Sequence, residues 1–233
     1  MKTIGLIGGM SWESSVDYYR IINEETRNIL GGSHSSKCLM YSFDFHEIEE
    51  LQNKNSWEEL TEEMVLQADN LKKAGADFIV ICTNTMHIMA PDIEKRTGLK
   101  VLHIADVTGE EIKRKSIGKV ALLGTKFTME GTFYKKVLKD KHNIDVVIPN
   151  DEDREVIHNI IYNELVRGII KDDSRQKYIK IIDKLMDKGA EGVVLGCTEI
   201  PLLIKQKDVS IPIFNTTEIH SKAAVRYAID GEI

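Results

Sequence analysis

The stretch GADFIVICT, Gly75 to Thr83, superposes without a gap on GAEGVVLGC, Gly189 to Cys197. A repeat of this kind restricts the chain to architectures that use one supersecondary unit twice, so it takes precedence over any single element. Further pairs extend it. IGLIGG near the start matches VALLGT near position 120, and VLHIAD, Val101 to Asp106, parallels IPIFNT, Ile211 to Thr216. An amphipathic helix candidate precedes each copy, Ser56 to Lys73 in one half and Asp173 to Lys188 in the other.

Strand-like runs occur at Thr3 to Gly8, Cys38 to Phe43, Asp77 to Cys82, Lys119 to Gly124, Ile144 to Ile148 and Gly192 to Gly196. Several are too continuously apolar for a strand with one wet face, which predicts parallel strands covered by helices on both sides. Between them, Ser14 to Leu30, Thr128 to Lys139 and Asp151 to Val166 add helix candidates. The alternation is that of an open α/β fold in two pseudo-symmetric parallel-sheet domains. The closing IHSKAAVRYAI reads as a helix that returns to the first unit. Residues 1–103 plus 211–233 are therefore expected to form one domain and residues 104–210 the other.

Hydrophobic residues make up 42% and charged residues 29% of the chain, the balance of an ordinary soluble globular protein. A net charge of -6 argues against a nucleic-acid backbone or an anionic membrane as main partner. No apolar run reaches the roughly 18 residues that suggest a membrane span. The start, MKTIGLIGGM, could serve as a short signal core, but the bulky, charged WESSVDYY follows it and a first buried strand is the better reading. Three cysteines without metal-type spacing fit a reduced, cytoplasmic protein.

In the ungapped repeat Cys197 falls opposite Thr83, and Cys82 falls opposite Gly196. Side chains alternate along a strand, so Thr83 and Cys82 should point apart, leaving Thr83 and Cys197 as the paired groups. Open parallel sheets bind ligands beyond the carboxyl ends of their strands. There the chain places Asn84 and Thr85 in one half, and Thr198 and Glu199 in the other, residues able to cap a helix or hold a substrate carboxylate. If the units face each other, a cleft between them could embrace a small anionic molecule. Each residue also has a structural use: a cysteine ending an apolar strand is commonly a small buried hydrophobe, and TNT or TE can be plain caps.

GLIGGMSWES permits close approach to a ligand, with Met10 and Ser11 near its carboxylate, and Thr125 occupies the corresponding loop of the second half. Its G-x-x-G-G spacing is not the dinucleotide fingerprint, so no nucleotide cofactor is expected. HEIEE after Phe45 lacks the second histidine of HExxH, so no metal is expected either, although Gln52 beyond it could reach the first unit's ligand. His87 and His220 could each serve as a helix cap, a core hydrogen-bond partner or a charge near the cleft, and neither has a sequence-visible carboxylate that would establish a Cys-His or Ser-His-Asp arrangement. NDEDRE, Asn150 to Glu155, reads as a solvated helix start.

Through GLIGGMSWES, YSFDFHEIEELQ, GADFIVICTNTMH, VALLGTKFTME and GAEGVVLGCTEIPLL the chain resembles the cofactor-independent aspartate/glutamate racemase superfamily over nearly its whole length. The resemblance implies two domains around an interdomain cleft, a homodimer, an amino-acid substrate and acid/base groups on opposite faces of its α-carbon, without pyridoxal phosphate. It implies that Cys197 is the second-domain catalytic cysteine. Thr83 stands where the usual CNT motif has the first, Asn84 and Thr85 follow as substrate-binding residues, and Met10 and Gln52 lie in motifs associated with substrate contact.

Two departures matter. A thiol has a reference pKa near 8.5 and can be lowered by N–H groups and a helix end, whereas a threonine hydroxyl is a far poorer base, so one-way turnover should be asymmetric. Dicarboxylate-specific relatives carry a lysine around IYNELVRG, where this chain offers Glu164, Leu165 and Val166 before Arg167. The expected function is racemisation of aspartate or glutamate. Alternatives are a broader racemase of neutral amino acids, a related isomerase or decarboxylase, and a nonenzymatic amino-acid-binding protein.

Overall fold

In the computed structural model, which describes residues 1–231, each copy of the repeat is a helix, a glycine and a strand. Helix α3 (Trp57–Lys73) buries Leu60, Met64, Ala68 and Leu71, and helix α9 (Asp172–Met186) buries Tyr178, Ile181, Ile182 and Leu185, each row at helical spacing. After each helix the chain reverses through a left-handed glycine, Gly75 at φ +103° and Gly189 at φ +88°. Other residues are strained in that region, which accounts for the shared GA. The strands that follow are β3 (Phe78–Ile81) and β6 (Gly192–Gly196).

The chain forms two compact units, Met1–Val107 with the stretch from Thr217, and Thr108–Thr216. In the first, β1 (Ile4–Gly8) is flanked by β2 (Cys38–Ser42) and β3, all parallel. One face packs Ile7, Ile79 and Ile81 with α3, α2 (Phe45–Asn53) and α4 (Ala90–Thr97). The other packs Ile4, Leu6, Phe78, Val80 and Cys82 with α1 (Trp12–Leu30) and α11 (Thr216–Asp230). Both faces are apolar, as expected of a parallel sheet between helix layers.

The second unit orders its parallel strands β5-β4-β6-β7, with β4 at Lys119–Gly124, β5 at Asp145–Val147 and β7 at Ile213–Asn215. Ala121, Leu123, Val193 and Leu195 pack on one face with α8 (Asp151–Asn163), α9 and α10 (Ile200–Leu203). Replacing a fully buried residue such as Leu195 by Ala would cost roughly 2–5 kcal/mol.

The repeat holds at the level of register. Ile4 pairs with Phe78 in one sheet and Val120 with Gly192 in the other, and the repeat aligns these same pairs. At the next strand it slips by two. Val101 bridges Ile79 and Ile213 pairs with Val193, so VLHI corresponds to IFNT rather than to IPIF. A shift of two keeps every side chain on its face, and the apolar pattern alone cannot register it.

The single helix expected over Thr128 to Lys139 is two helices, α6 (Lys126–Glu130) and α7 (Thr132–His142). Gly131 breaks them with extended ψ 147°, packed so closely on the Phe127 carbonyl and the Phe133 ring that a Cβ would clash. The helix expected to reach Val166 stops at Asn163, where Glu164 leaves helical geometry and Leu165–Arg167 forms a 3-10 turn ending at left-handed Gly168. NDEDRE does start a helix: the Asn150 side chain accepts the Asp153 N–H at 2.8 Å, with three acids in the first turn. Helix α5 (Ile104–Arg114) leads from the first unit to the second.

Candidate active site

In the first unit the alternation of β3 carries into its end. Cys82 continues the face of Phe78 and Val80 and lies in the core, where burial pushes its thiol far up, so it is an inert hydrophobe. Thr83 emerges partly exposed beyond it, and Asn84 and Thr85 are buried in the turn that follows. That turn is a 3-10 segment, Thr85–Met89. His87 reaches back from it, and its Nδ1–H donates to the Thr83 carbonyl at 2.8 Å.

The glycine loop stands beside this strand end. Gly9, at φ +86°, lies against the Phe43 backbone with no room for a side chain. Its N–H donates to Ser15 Oγ at 2.8 Å, and the Ser14 and Ser15 hydroxyls both donate to the Ser11 carbonyl at 3.0 Å. Ser14 Oγ also lies 3.4 Å from the Cys82 carbonyl, which ties the start of α1 to the end of β3. Met10 and Ser11 are both buried here. Gln52, only 7% exposed, places Nε2 3.4 Å from Met86 Sδ, and its Oε1 is buried with no hydrogen-bond partner.

In the second unit Cys197 follows the face of Val193 and Leu195 and, like Thr83, is partly exposed between buried neighbours. Its Sγ–H donates to Glu199 Oε2 at 3.0 Å, and the Thr198 hydroxyl donates to the same oxygen at 2.9 Å. Glu199 is 6% exposed. Burial first, and then the adjacent carboxylate, pushes the Cys197 thiol well above its ordinary value. The Thr198 and Glu199 N–H groups pull the other way and are outweighed. The expectation of a lowered thiol is thereby corrected: a bare helix start would favour the thiolate, but this one carries a buried carboxylate. Glu199, expected beside the substrate, accepts the Cys197 thiol here.

Thr125 directly follows the neighbouring strand β4 and caps α6, its hydroxyl oxygen accepting the Thr128 N–H at 3.4 Å. Gly124 pairs with Gly196, and neither backbone leaves space for a Cβ, so the two strand ends run in close contact. Arg167 is exposed on its 3-10 turn, and Glu164 is occupied by the Ser174 hydroxyl at 2.6 Å and Lys171 at 3.2 Å. The acids of HEIEE lie on α2 behind an Asp44 cap. Among the described residues no group of three or more metal-ligating side chains occurs, and no helix is long and apolar enough to cross a membrane.

Of the uses open to His87 and His220 in the sequence, both serve as core hydrogen-bond partners, although a histidine on an apolar face gives no sign of which carbonyl or hydroxyl it meets. Tyr18 O–H donates to His220 Nδ1 at 2.8 Å, and Nε2–H donates to the Leu102 carbonyl at 2.7 Å, fixing a neutral tautomer.

Residues 7–224 match the Asp/Glu/hydantoin racemase family. The broad specificity amino-acid racemase RacX of Bacillus subtilis (strain 168) is 24% identical over 230 residues, 95% of this chain and 96% of that protein. Among solved structures, a Yersinia pestis chain described as an Asp/Glu racemase is 52% identical, covering 98% of this chain and 100% of that one with a TM-score of 0.92. An aspartate racemase homologue from Pyrococcus horikoshii OT3 is 38% identical, covering 98% and 99% with a TM-score of 0.85. With the doubled parallel sheet and the polar strand ends Thr83-Asn84-Thr85 and Cys197-Thr198-Glu199, the match over 7–224 decides the matter: the chain belongs to the Asp/Glu/hydantoin racemase family.

Proposed function

We propose that this amino-acid racemase inverts free aspartate or glutamate by moving the α-proton between its own side chains, Cys197 and Thr83, without a pyridoxal cofactor. The observation that carries this reading is the Cys197 thiol bonded at 3.0 Å to the buried Glu199 carboxylate, at the strand end whose repeat counterpart is Thr83. A thiol so held is neutral at rest and has an acceptor for its proton. Glu199 takes the Sγ proton, the thiolate takes the α-proton, and the carbanion receives a proton on its opposite face from the Thr83 hydroxyl or a water held by it. The proton left on Glu199 returns through solvent to the Thr83 side.

Gln52 supports a substrate beside Thr83. A buried amide oxygen without a partner costs about 1–3 kcal/mol, and a substrate ammonium would satisfy it. Met10, Ser11, Asn84 and Thr85 would line the rest of that side, and Thr125 and Thr198 the side of Cys197. In the reverse direction the abstracting group is the hydroxyl, a weaker base, so the two one-way turnover numbers should differ while the equilibrium constant stays at unity for enantiomers. The working form is proposed to be a cytoplasmic homodimer, which light scattering of the purified protein tests.

Neutral amino acids are the second reading. In IYNELVRG the Glu164 carboxylate is already bonded to Ser174 and Lys171, and the cation that segment offers is Arg167, exposed on its 3-10 turn, so a neutral side chain is favoured wherever Arg167 does not reach the substrate. The experiment is chiral chromatography after incubating the protein, with no cofactor added, with each enantiomer of aspartate, glutamate and a neutral panel. Inversion that survives carbonyl-trapping reagents and vanishes in Cys197→Ser is expected. Absence of inversion throughout, or full activity in Cys197→Ser, would refute the proposal.

A further inference from the structure

The two repeat ends close the same carbonyl in different ways. In the second unit the Cys197 carbonyl accepts the backbone N–H of Ile200 at 3.2 Å, an ordinary turn bond. In the first unit the Thr83 carbonyl accepts Nδ1–H of His87, a side chain that is 1% exposed. The position corresponding to His87 in the second unit is Pro201, which can donate nothing. His87 is itself wedged in place. Its ring lies 4.8 Å from that of His103 and 5.4 Å from that of His220, and His220 is fixed by Tyr18 on α1 and by the Leu102 carbonyl. The orientation of the Thr83 backbone is thus set by a buried chain of side chains reaching from α11 and α1, not by the turn alone.

We propose that His87 is a positioning residue for racemisation: its hydrogen bond to the Thr83 carbonyl fixes the backbone from which the Thr83 hydroxyl serves the substrate. The inference rests on Thr83 being the group opposite Cys197. His87 touches no substrate; it acts through the conformation of its neighbour. Displacing a catalytic group by a fraction of an ångström leaves binding nearly intact and slows the step that group performs. The inversion step should suffer, whereas α-proton removal by Cys197 should not.

The test compares His87→Leu, which keeps an apolar side chain without a donor, with His87→Asn, whose amide Nδ2 can stand in for Nδ1. Both are assayed in deuterium oxide with each enantiomer of glutamate and aspartate, beside Thr83→Ala, after thermal melting has confirmed folding. His87→Leu should lower kcat for inversion about 10- to 100-fold with KM changed less than about twofold. Starting from the enantiomer that Cys197 deprotonates, recovered substrate should gain deuterium relative to product formed. His87→Asn should restore most of kcat. Unchanged inversion in His87→Leu, equal losses in both variants, or a loss confined to KM would each overturn the proposal. If His87→Leu does not fold, the decision passes to His87→Asn, which must then keep wild-type KM and most of kcat. Full activity in Thr83→Ala would instead remove the role of Thr83 itself, whereas an inactive Thr83→Ala beside a fully active His87→Leu would sink the positioning role alone.

Discussion

The ends of β3 and β6 occupy the same place in a repeat whose registers agree pair for pair, and they are chemically opposite. At Cys197 a buried carboxylate bonds the side-chain sulfur itself. At Thr83 the His87 imidazole holds the backbone carbonyl, and both it and His220 behind it are kept neutral by burial. One end can store and release a proton; the other can hold a hydroxyl in position. Duplication preserves geometry because the sheet demands it, while one or two side chains beyond each strand are free to assign different tasks to the two copies.

Substitutions at the reactive atoms should have the largest effect. Cys197→Ser removes the only thiol at the second strand end, and inversion should fall by roughly 10²- to 10⁴-fold. Chiral chromatography reads the loss, and circular dichroism should show an unchanged fold.

Glu199→Gln separates the two functions of that end. Without the carboxylate charge the Cys197 thiol should titrate lower, because the charge is among the causes that raise it. The pH dependence of Cys197 alkylation would report that shift. Inversion beginning on the Cys197 face should nevertheless slow about 10- to 100-fold, since the acceptor for the thiol proton is gone. An alkylation profile that stays where it was would contradict the coupling. Thr83→Cys makes the two ends alike, and the ratio of the two one-way turnover numbers should move towards one.

The pH dependence of stability should differ between the units. His220 is held at about 3 and His87 well below its usual value, both by burial first. The unfolded chain binds protons to these rings below about 6.5 and the folded protein does not, so stability is full above that pH. It is lost as pH falls, for His220 down to about 3, with a slope of up to about 1.4 kcal/mol per pH unit for each ring. Hydrogen exchange between pH 7 and pH 4 should therefore show amides of α11 and of the turn after β3 losing protection before those of β6. Equal losses at both places would break the contrast.

Gln52→Leu should have the smallest effect on stability. It removes a buried oxygen without a partner and should raise the melting temperature slightly, equivalent to about 1 kcal/mol or less, while raising KM. A lower melting temperature with unchanged KM would assign Gln52 to structure alone.

Much of this was legible in the sequence because the repeat is carried by backbone requirements. Gly75 and Gly189 mark left-handed turns, and the apolar runs mark strands buried on both faces. That Thr83 and Cys197 hold equivalent places at the two strand ends follows from the same register. What escaped depends on side chains meeting across sequence distance or on local breaks. The two-residue slip between VLHI and IFNT is invisible to a pattern of period two. Gly131 splits a helix that its flanking residues would continue, because the Phe133 ring fills the place of its missing side chain. The bond from His87 to Thr83 spans four residues, yet a strand end followed by a 3-10 turn has no periodicity from which to read it. Glu199 was visible as a polar residue, but its bond from the Cys197 thiol is a matter of geometry.

In the proposed mechanism two unlike groups serve opposite faces of one α-carbon. Its most direct test is to follow deuterium during the first few per cent of reaction in deuterium oxide, starting separately from each enantiomer of the substrate that the panel identifies. Product should carry deuterium at the α-carbon from the outset while recovered substrate stays protiated, and the two initial rates at saturating substrate should differ. Deuterium entering recovered substrate and product at equal rates from either side would point to one group serving both faces and would contradict it.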